Sequence, residues 1–373
     1  MAIRLRSVAK RFFLLLNIVV CLSFLLACLN SYVNTGAWWL FSILGLGFVF
    51  LLIGVLAFVV FWLLALKPKY VFISILSLLL GYKAIMLFFS FGSGSTFNMK
   101  KDANALRVAH WNVARFIEWK RNNNKGSQTR LKMMEQIKEQ NADILCMEEF
   151  FQSSDSEHYD NIDYIQKKLG YPYYYFSWND DGWKQWTGEI IFSKLPLIDT
   201  GLVHYPYPDA SESLIYADVV HNDDTIRIYT THLQSFKFMK DDYKRIEKIK
   251  NTEDSMINNS KSIFFKVKKA NAIRTVQADI VKEMIQRSPY PYILTLDMND
   301  IPNSSTYTTI RGGLKDVFLE KGFGVGRTFN SISPTLRIDY VFTTKEFQPL
   351  QLNRIVKDLS DHYMLVTDLM YKK

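Results

Sequence analysis

Tyr292-Ile293-Leu294-Thr295-Leu296-Asp297-Met298-Asn299-Asp300-Ile301-Pro302-Asn303-Ser304 decides how this chain is read. A short apolar run of strand type ends in Asp297, Asn299 and Asp300, and a turn built on Pro302 and Asn303 follows. Polar groups at the end of a buried strand sit at a sheet edge, where α/β proteins keep their sites. Asp297 and Asn299 are two apart, so on a strand they point the same way. One is an acceptor and candidate base; the other both donates and accepts. The pair suits a water attacking beside a phosphate oxygen. Alone, the stretch reads equally as a polar strand end capping a turn.

Outward from this stretch, other apolar runs also end in polar groups. Leu106 to Val113 is strand-like and delivers Asn112. Arg130 to Gln140 has helical apolar spacing, and Ile144 to Met147 is a strand ending in Glu148 and Glu149. Strand, helix, strand is a βαβ-like opening. Tyr159 to Leu169 reads as a helix closed by Gly170. Tyr171 to Trp178 and Gly188 to Phe192 are strand-like, and 214–220 and 225–231 form a hairpin around 222–224 whose second arm delivers His232. Residues 237–272 are Lys-rich and read as a solvated helical excursion, ahead of a helix over Arg274 to Ile285. Leu336 to Phe342 is a strand containing Asp339, and Asp361 and His362 precede a last strand over 364–370. Strands outnumber helices, which points to two stacked sheets with helices outside.

The collected groups are Asn112, Glu149, His232, Asp297, Asn299, Asp339, Asp361 and His362. Carboxylate and amide oxygens without sulfur favour a hard cation, Mg²⁺ or Mn²⁺. Two histidines suit contacts to phosphate oxygens, and a carboxylate beside one fixes its tautomer. Together they suit metal-assisted hydrolysis of a phosphate ester. His110, His158, His204 and His221 have no such context and read as structural or surface groups.

The first 99 residues differ in kind. They contain no Asp or Glu, and their cations are Arg4, Arg6, Lys10, Arg11, Lys67, Lys69 and Lys83. Of the net +9, those seven leave 38 Lys and Arg against 36 acids in residues 100–373. The basic balance is a property of the N-terminal third and argues against a duplex-binding surface on the rest. Apolar runs near 12–32, 38–66 and 70–91 are each long enough to cross a membrane as a helix. The Lys and Arg distribution puts the N-terminus and the 67–69 loop inside, and everything after about residue 92 outside the cytoplasm. Leu25-Leu26-Ala27-Cys28 also forms a loose lipoprotein-type cleavage box, which leaves the large domain on the same side. Intramembrane polar pairs are not evident beyond Lys83, which speaks against transport. Gly92-Ser93-Gly94-Ser95-Thr96 reads as a linker between an anchor, 1–99, and a catalytic domain, 100–373. The three cysteines, Cys21, Cys28 and Cys146, form no zinc or disulfide pattern.

Taken in order, Trp111-Asn112-Val113, Asp143 to Glu149, Gly188 to Pro196, Thr231 to Ser235, Leu296 to Asp300, Arg337 to Tyr340 and Ser360-Asp361-His362 resemble the endonuclease/exonuclease/phosphatase superfamily, in its multipass membrane-anchored bacterial form. The resemblance covers essentially all of 106–370. It implies a four-layer α/β sandwich, two mostly antiparallel sheets flanked by helices, preceded by three transmembrane helices. It implies Glu149 as principal metal ligand with Asn112 and Asp361 beside it. Asp297 would orient or deprotonate the attacking water, and Asn299 would hold the phosphate. His362, oriented by Asp339, and His232 would contact the phosphate in the transition state. Arg274 and Gln277 match a helix pattern of similar chains without a catalytic role. The chain departs from the pattern at Leu296, where glycine is usual, and at Glu148, where glutamine is frequent; Glu148 reads either as extra charge for the metal or as a solvent-facing acid.

The expected function is a divalent-metal-dependent phosphoesterase, of nuclease or phosphatase type, hydrolysing a phosphodiester or phosphomonoester by in-line attack of water. Its substrate is a nucleic acid or a lipid head group, the latter favoured by anchoring at a bilayer. No obligate protein partner is evident. The expected location is the cell (inner) membrane, multi-pass, with the catalytic domain on the periplasmic or extracellular side. The other class compatible with the sequence is a non-catalytic membrane sensor or scaffold that keeps the fold.

Overall fold

The computed structural model describes residues 2–92, 96–117, 128–206, 212–239, 241, 242, 244, 246 and 256–372. Most of the Gly-Ser linker, residues 118–127 and the middle of the 237–272 stretch lie outside the described residues.

Two sheets face each other. The first has seven strands in the order β14 (Phe347–Ile355), β15 (Met364–Tyr371), β2 (Ala105–Asn112), β3 (Ile144–Ser153), β6 (Gln185–Ser193) and β4 (Tyr173–Phe176), with β5 (Asn179–Gly182) also paired to β6. The second has six in the order β11 (Lys315–Asp316), β13 (Asp339–Thr343), β10 (Tyr292–Asp297), β9 (Asp224–His232), β8 (Ser213–His221) and β7 (Leu197–His204). Two pairs are parallel, β2 with β3 and β9 with β10; the other described pairs are antiparallel. A short ladder joins β1 (Ser90–Phe91) to β12 (Phe323–Gly324).

Every residue of β2 and β10 is buried, as strands covered on both faces must be. The period of two then sorts side chains between layers. Val108, Ile144, Cys146, Ile228 and Ile293 fill the space between the sheets. Leu145 and Met147 face outward onto α6 (Gln128–Gln140) and α7 (Asn161–Leu169) through Met133, Ile137 and Ile165. Leu294 and Leu296 face the other way onto α8 (Met256–Gln286) and α9 (Ser305–Arg311) through Ala278, Val281 and Tyr307. A short α10 (Val317–Lys321) follows β11. The helix α7 is capped at both ends: Asp160 accepts from the Asp163 amide, and Gly170 ends it at φ 78°.

One expectation is corrected by α8. The helix does not begin at Arg274; it runs 31 residues from Met256. The second half of the supposed solvated excursion is its first half, and Val267, Ala270 and Asn271 are buried there.

The N-terminal third folds as α1 (Ala2–Cys28), α2 (Trp39–Leu46), α3 (Phe48–Leu64), α4 (Pro68–Leu80) and α5 (Tyr82–Phe88). One helical stretch, Arg6–Ser31, is long and apolar enough to cross a membrane. The second and third apolar runs are not single helices as expected. Each is a bent pair, turned by 60° at Gly47 and by 63° at Gly81. Glycine is the residue that most readily leaves the helical register, and both sit at φ −84°, ψ 0°. The helices also hold more polar pairing than expected: Asn17 Oδ1 accepts from Ser74 Oγ at 2.9 Å and from Cys21 Sγ at 3.2 Å.

These helices share a core with the loops around β10 and β13. Phe24, Phe48, Val49 and Phe88 pack with Ile301, Phe329, Leu336 and Ile338. Polar contacts lock the junction. Ser31 Oγ donates to Asn303 O at 2.8 Å, Asn303 Nδ2 donates to Ala27 O at 3.1 Å, and Arg337 Nη2 donates to Leu87 O at 2.7 Å. The turn after Asp300 is therefore seated on the end of α1.

Candidate active site

Three of the candidates form one row across the six-stranded sheet. Asp297 is the register partner of His232 on one side and of Asp339 on the other. The polar ends of β9, β10 and β13 thus converge because strand pairing aligns them. The facing sheet contributes Asn112 at the end of β2 and Glu149 from β3.

Glu149 owes its aim to a break in β3. The register with β6 shifts between Met147 and Phe150, and Glu149 has φ 48°. Such a bulge re-aims one side chain out of the pleat. Its neighbour Glu148 takes neither expected role. It is fully buried between the sheets, where Oε1 accepts from Thr230 Oγ1 at 2.6 Å and lies 2.9 Å from His110 Nε2. His110 is fully buried beside it; burial opposes charge on the ring, but Glu148, with Asp339 and Asp297 behind it, raises its pKa.

Asn112 links the two sheets. Its Nδ2 donates to Asp297 Oδ2 at 2.9 Å and to Glu149 Oε1 at 3.2 Å, while its Oδ1 accepts from the Ala114 amide. Asp297 Oδ1 accepts from the Asn299 amide at 2.9 Å. Asp297 Oδ2 remains turned into the site, 3.5 Å from His232 Nε2 and 3.7 Å from His362 Nε2. His362 Nδ1 lies 3.0 Å from both oxygens of Asp339, and Asp361 Oδ1 lies 4.0 Å from His362 Nε2. Ser360 Oγ donates to Asn112 O at 2.9 Å, which fixes the turn carrying Asp361. All eight candidates are thus brought together by these contacts.

Asn299, at φ 53°, turns its Nδ2 to Leu233 O at 3.0 Å and to His232 Nε2 at 2.9 Å. His232 Nε2 is then the acceptor of a neutral ring; a proton there requires the amide to turn its oxygen inward. Burial opposes charge on this ring, but Asp297, Glu212, Glu149 and Glu189 overcome it and raise its pKa to about 9. His362 is raised well above its ordinary value, against burial, chiefly by Asp339 and Asp297. Asp361 is raised by burial and then by the nearby charges of Glu149 and Asp297.

The supporting residues were not all found from sequence. Arg274 is fully buried; its Nη1 donates to Gln234 O at 3.0 Å, and its guanidinium lies over the Phe236 ring. Gln277 Oε1 accepts from the Gln234 amide at 2.8 Å, and its Nε2 donates to Glu212 at 2.9 Å. One face of α8 thereby holds the segment that follows His232. Glu189, an acid inside the apolar Gly188 to Phe192 run, was the available signal for a buried carboxyl. Burial raises its pKa to about 7, against a hydrogen bond from Ser213 Oγ.

The donor set fits a divalent cation. Among the described residues, ligand atoms of Asp297, Asp339 and His362 lie within 4.8 Å of one another. Glu149 and Asp361 add oxygens to the same cleft, and Asn112 Oδ1 keeps one lone pair. Crowded carboxylates without a thiolate suit a hard cation.

Residues 109–362 match the endonuclease/exonuclease/phosphatase family. The chain belongs to that family. Residues 10–88 match a second family, described as a domain of unknown function (DUF8431). No curated protein matches the chain. Similar solved structures include an endonuclease/exonuclease/phosphatase from Beutenbergia cavernae DSM 12333, at 17% identity over 72% of each chain with a TM-score of 0.49. A family protein from Leptotrichia buccalis C-1013-b is 15% identical over 72% of this chain and 100% of that one, TM-score 0.49. The human Nocturnin catalytic domain is 16% identical over 72% of this chain and 94% of that one, TM-score 0.49. Membership in the endonuclease/exonuclease/phosphatase family supports a phosphoesterase-type function.

Proposed function

We propose that the protein is a divalent-metal-dependent phosphoesterase that hydrolyses a phosphomonoester or phosphodiester by in-line attack of water. One observation carries the reading: Asp297 Oδ2 is held by Asn112 and faces both His232 Nε2 and His362 Nε2 within 3.7 Å. A carboxylate so placed takes a proton from water while the two rings meet the oxygens of a phosphate between them. Asp339 accepts from His362 Nδ1 and favours the charged ring, whose Nε2–H then faces the substrate. With the Asn299 amide turned so that its oxygen faces His232, the ring carries a proton on Nε2 and supplies it to the leaving oxygen, and the freed Asn299 Nδ2 donates to a non-bridging oxygen. Glu149, Asp361 and the Asn112 oxygen would hold Mg²⁺ or Mn²⁺, which supplies positive charge against the equatorial oxygens.

Residues 1–99 serve as a multi-pass membrane anchor and residues 100–373 as the catalytic domain outside the cytoplasm. The apolar helices and the Lys and Arg distribution support this.

The test uses the full chain, reconstituted, with soluble phosphomonoesters and phosphodiesters. Turnover that requires Mg²⁺ or Mn²⁺, stops with chelator and is lost in Asp297→Ala and His362→Ala is expected. Absence of metal-dependent turnover on every ester overturns the hydrolase reading. Protease protection of the large domain in spheroplasts, where the outer face of the inner membrane is accessible, overturns the orientation.

A further inference from the structure

A cavity of about 410 Å³ lies between the bent α2–α3 pair and the catalytic loops. Its walls are aliphatic and aromatic side chains except for Asn299, Asp300 and Ser333. This volume is within the range of small-molecule sites, about 300–1,000 Å³. Leu46, Gly47 and Phe50, at the elbow of the helix pair, line one side. Phe329 and Asn299 line the other, and both touch the catalytic groups. The Phe329 ring centroid is 5.0 Å from that of His362, and Asn299 Nδ2 is 2.9 Å from His232 Nε2. One end of the cavity is therefore the wall of the phosphate site, and the other is made by helices whose outward faces are apolar.

We propose that this cavity receives the hydrocarbon chain of a lipid phosphoester whose phosphate is hydrolysed at Asp297. The proposal rests on the hydrolase reading above and specifies its substrate class. An apolar slot that begins at a phosphate-handling amide matches an amphiphile in which phosphorus and hydrocarbon are close neighbours. A polynucleotide has no such chain to bury there. The chemistry balances as simple hydrolysis. A P–O bond to water forms, the P–O bond to the leaving oxygen breaks, one water proton goes to Asp297, and the leaving oxygen gains one from His232.

The test compares alkyl phosphates and methyl alkyl phosphodiesters, from ethyl to decyl, on the full chain in phosphatidylcholine nanodiscs. The Gly47→Trp variant is measured beside wild type. A Cβ at Gly47 meets only main-chain oxygens of its own helix, at 3.4 Å and beyond, so a large side chain there has room to fill the cavity. Each methylene buried is expected to lower KM by about fourfold in wild type. Gly47→Trp should flatten that dependence and leave kcat on the ethyl ester intact. Partitioning into the bilayer is common to both proteins and drops out of the comparison. Equal slopes in wild type and variant, or a flat wild-type profile, overturn the lipid-chain proposal while metal-dependent turnover of the ethyl ester leaves the hydrolase reading standing. No turnover of any ester overturns the hydrolase reading itself. Should Gly47→Trp fail to fold, Phe50→Trp provides the same comparison.

Discussion

Both carboxylate oxygens of Asp339 lie 3.0 Å from His362 Nδ1, and the other ring nitrogen faces Asp297. The pairing chooses the tautomer and holds the ring's charge. Asp339→Asn is expected to lower kcat by on the order of 10²-fold with little change in KM. Asp339 is the chief group raising the His362 pKa, so its loss also moves the basic limb of the kcat profile toward lower pH. A pH–rate series in saturating metal measures both.

Asn112 spans the two sheets at the site, touching Asp297 and Glu149 through one nitrogen. Removing it leaves two carboxylates facing each other without a donor between them. Asn112→Ala is expected to raise the Mg²⁺ concentration for half-maximal activity by about 10–100-fold. Metal titrations of initial rate, repeated with Mn²⁺, provide the measurement.

Glu189 gives a pH signature in stability. Its folded pKa of about 7 lies above the ordinary 4.5, so the folded chain binds this proton more tightly than the unfolded chain. The contribution is fully present below pH 4.5 and is lost as pH rises through about 7. Glu189→Gln should therefore gain stability over wild type between pH 5 and 8, by at most about 3 kcal/mol. Denaturant melts at the two pH values, in chelator, measure the gain.

Arg337 is buried with Asp316, at 2.6 Å, and donates onward to Leu87 O. Arg337→Ala leaves the Asp316 charge without its cation and cuts a tie between the N-terminal helices and the loop before β13. A loss of about 3–5 kcal/mol is expected, read from thermal unfolding, with faster amide exchange in 84–92.

The site was legible because it sits where apolar runs stop. Asp297, His232 and Asn112 each close a strand, and strand pairing does the rest. The opposite aims of Glu148 and Glu149 were not legible, because the bulge between Met147 and Phe150 leaves no mark on the residue pattern. The elbows at Gly47 and Gly81 were hidden for a related reason. A glycine inside an apolar run costs a helix only about 1 kcal/mol, so tertiary packing decides whether the run bends there. The long α8 was missed because its Lys-rich surface masks the buried Val267, Ala270 and Asn271. Arg274 and Gln277 were visible as a pattern, but their partner Gln234 lies 40 and 43 positions away in sequence.

The shared packing of Ile301, Phe329, Leu336 and Ile338 with the N-terminal helices bears on how the protein is handled. A fragment trimmed at the Gly-Ser linker would uncover these four side chains directly beside the catalytic turn and invite self-association. Making a water-soluble version therefore calls for repainting that face with polar residues, and a sluggish fragment would report on the missing floor before it reported on the chemistry.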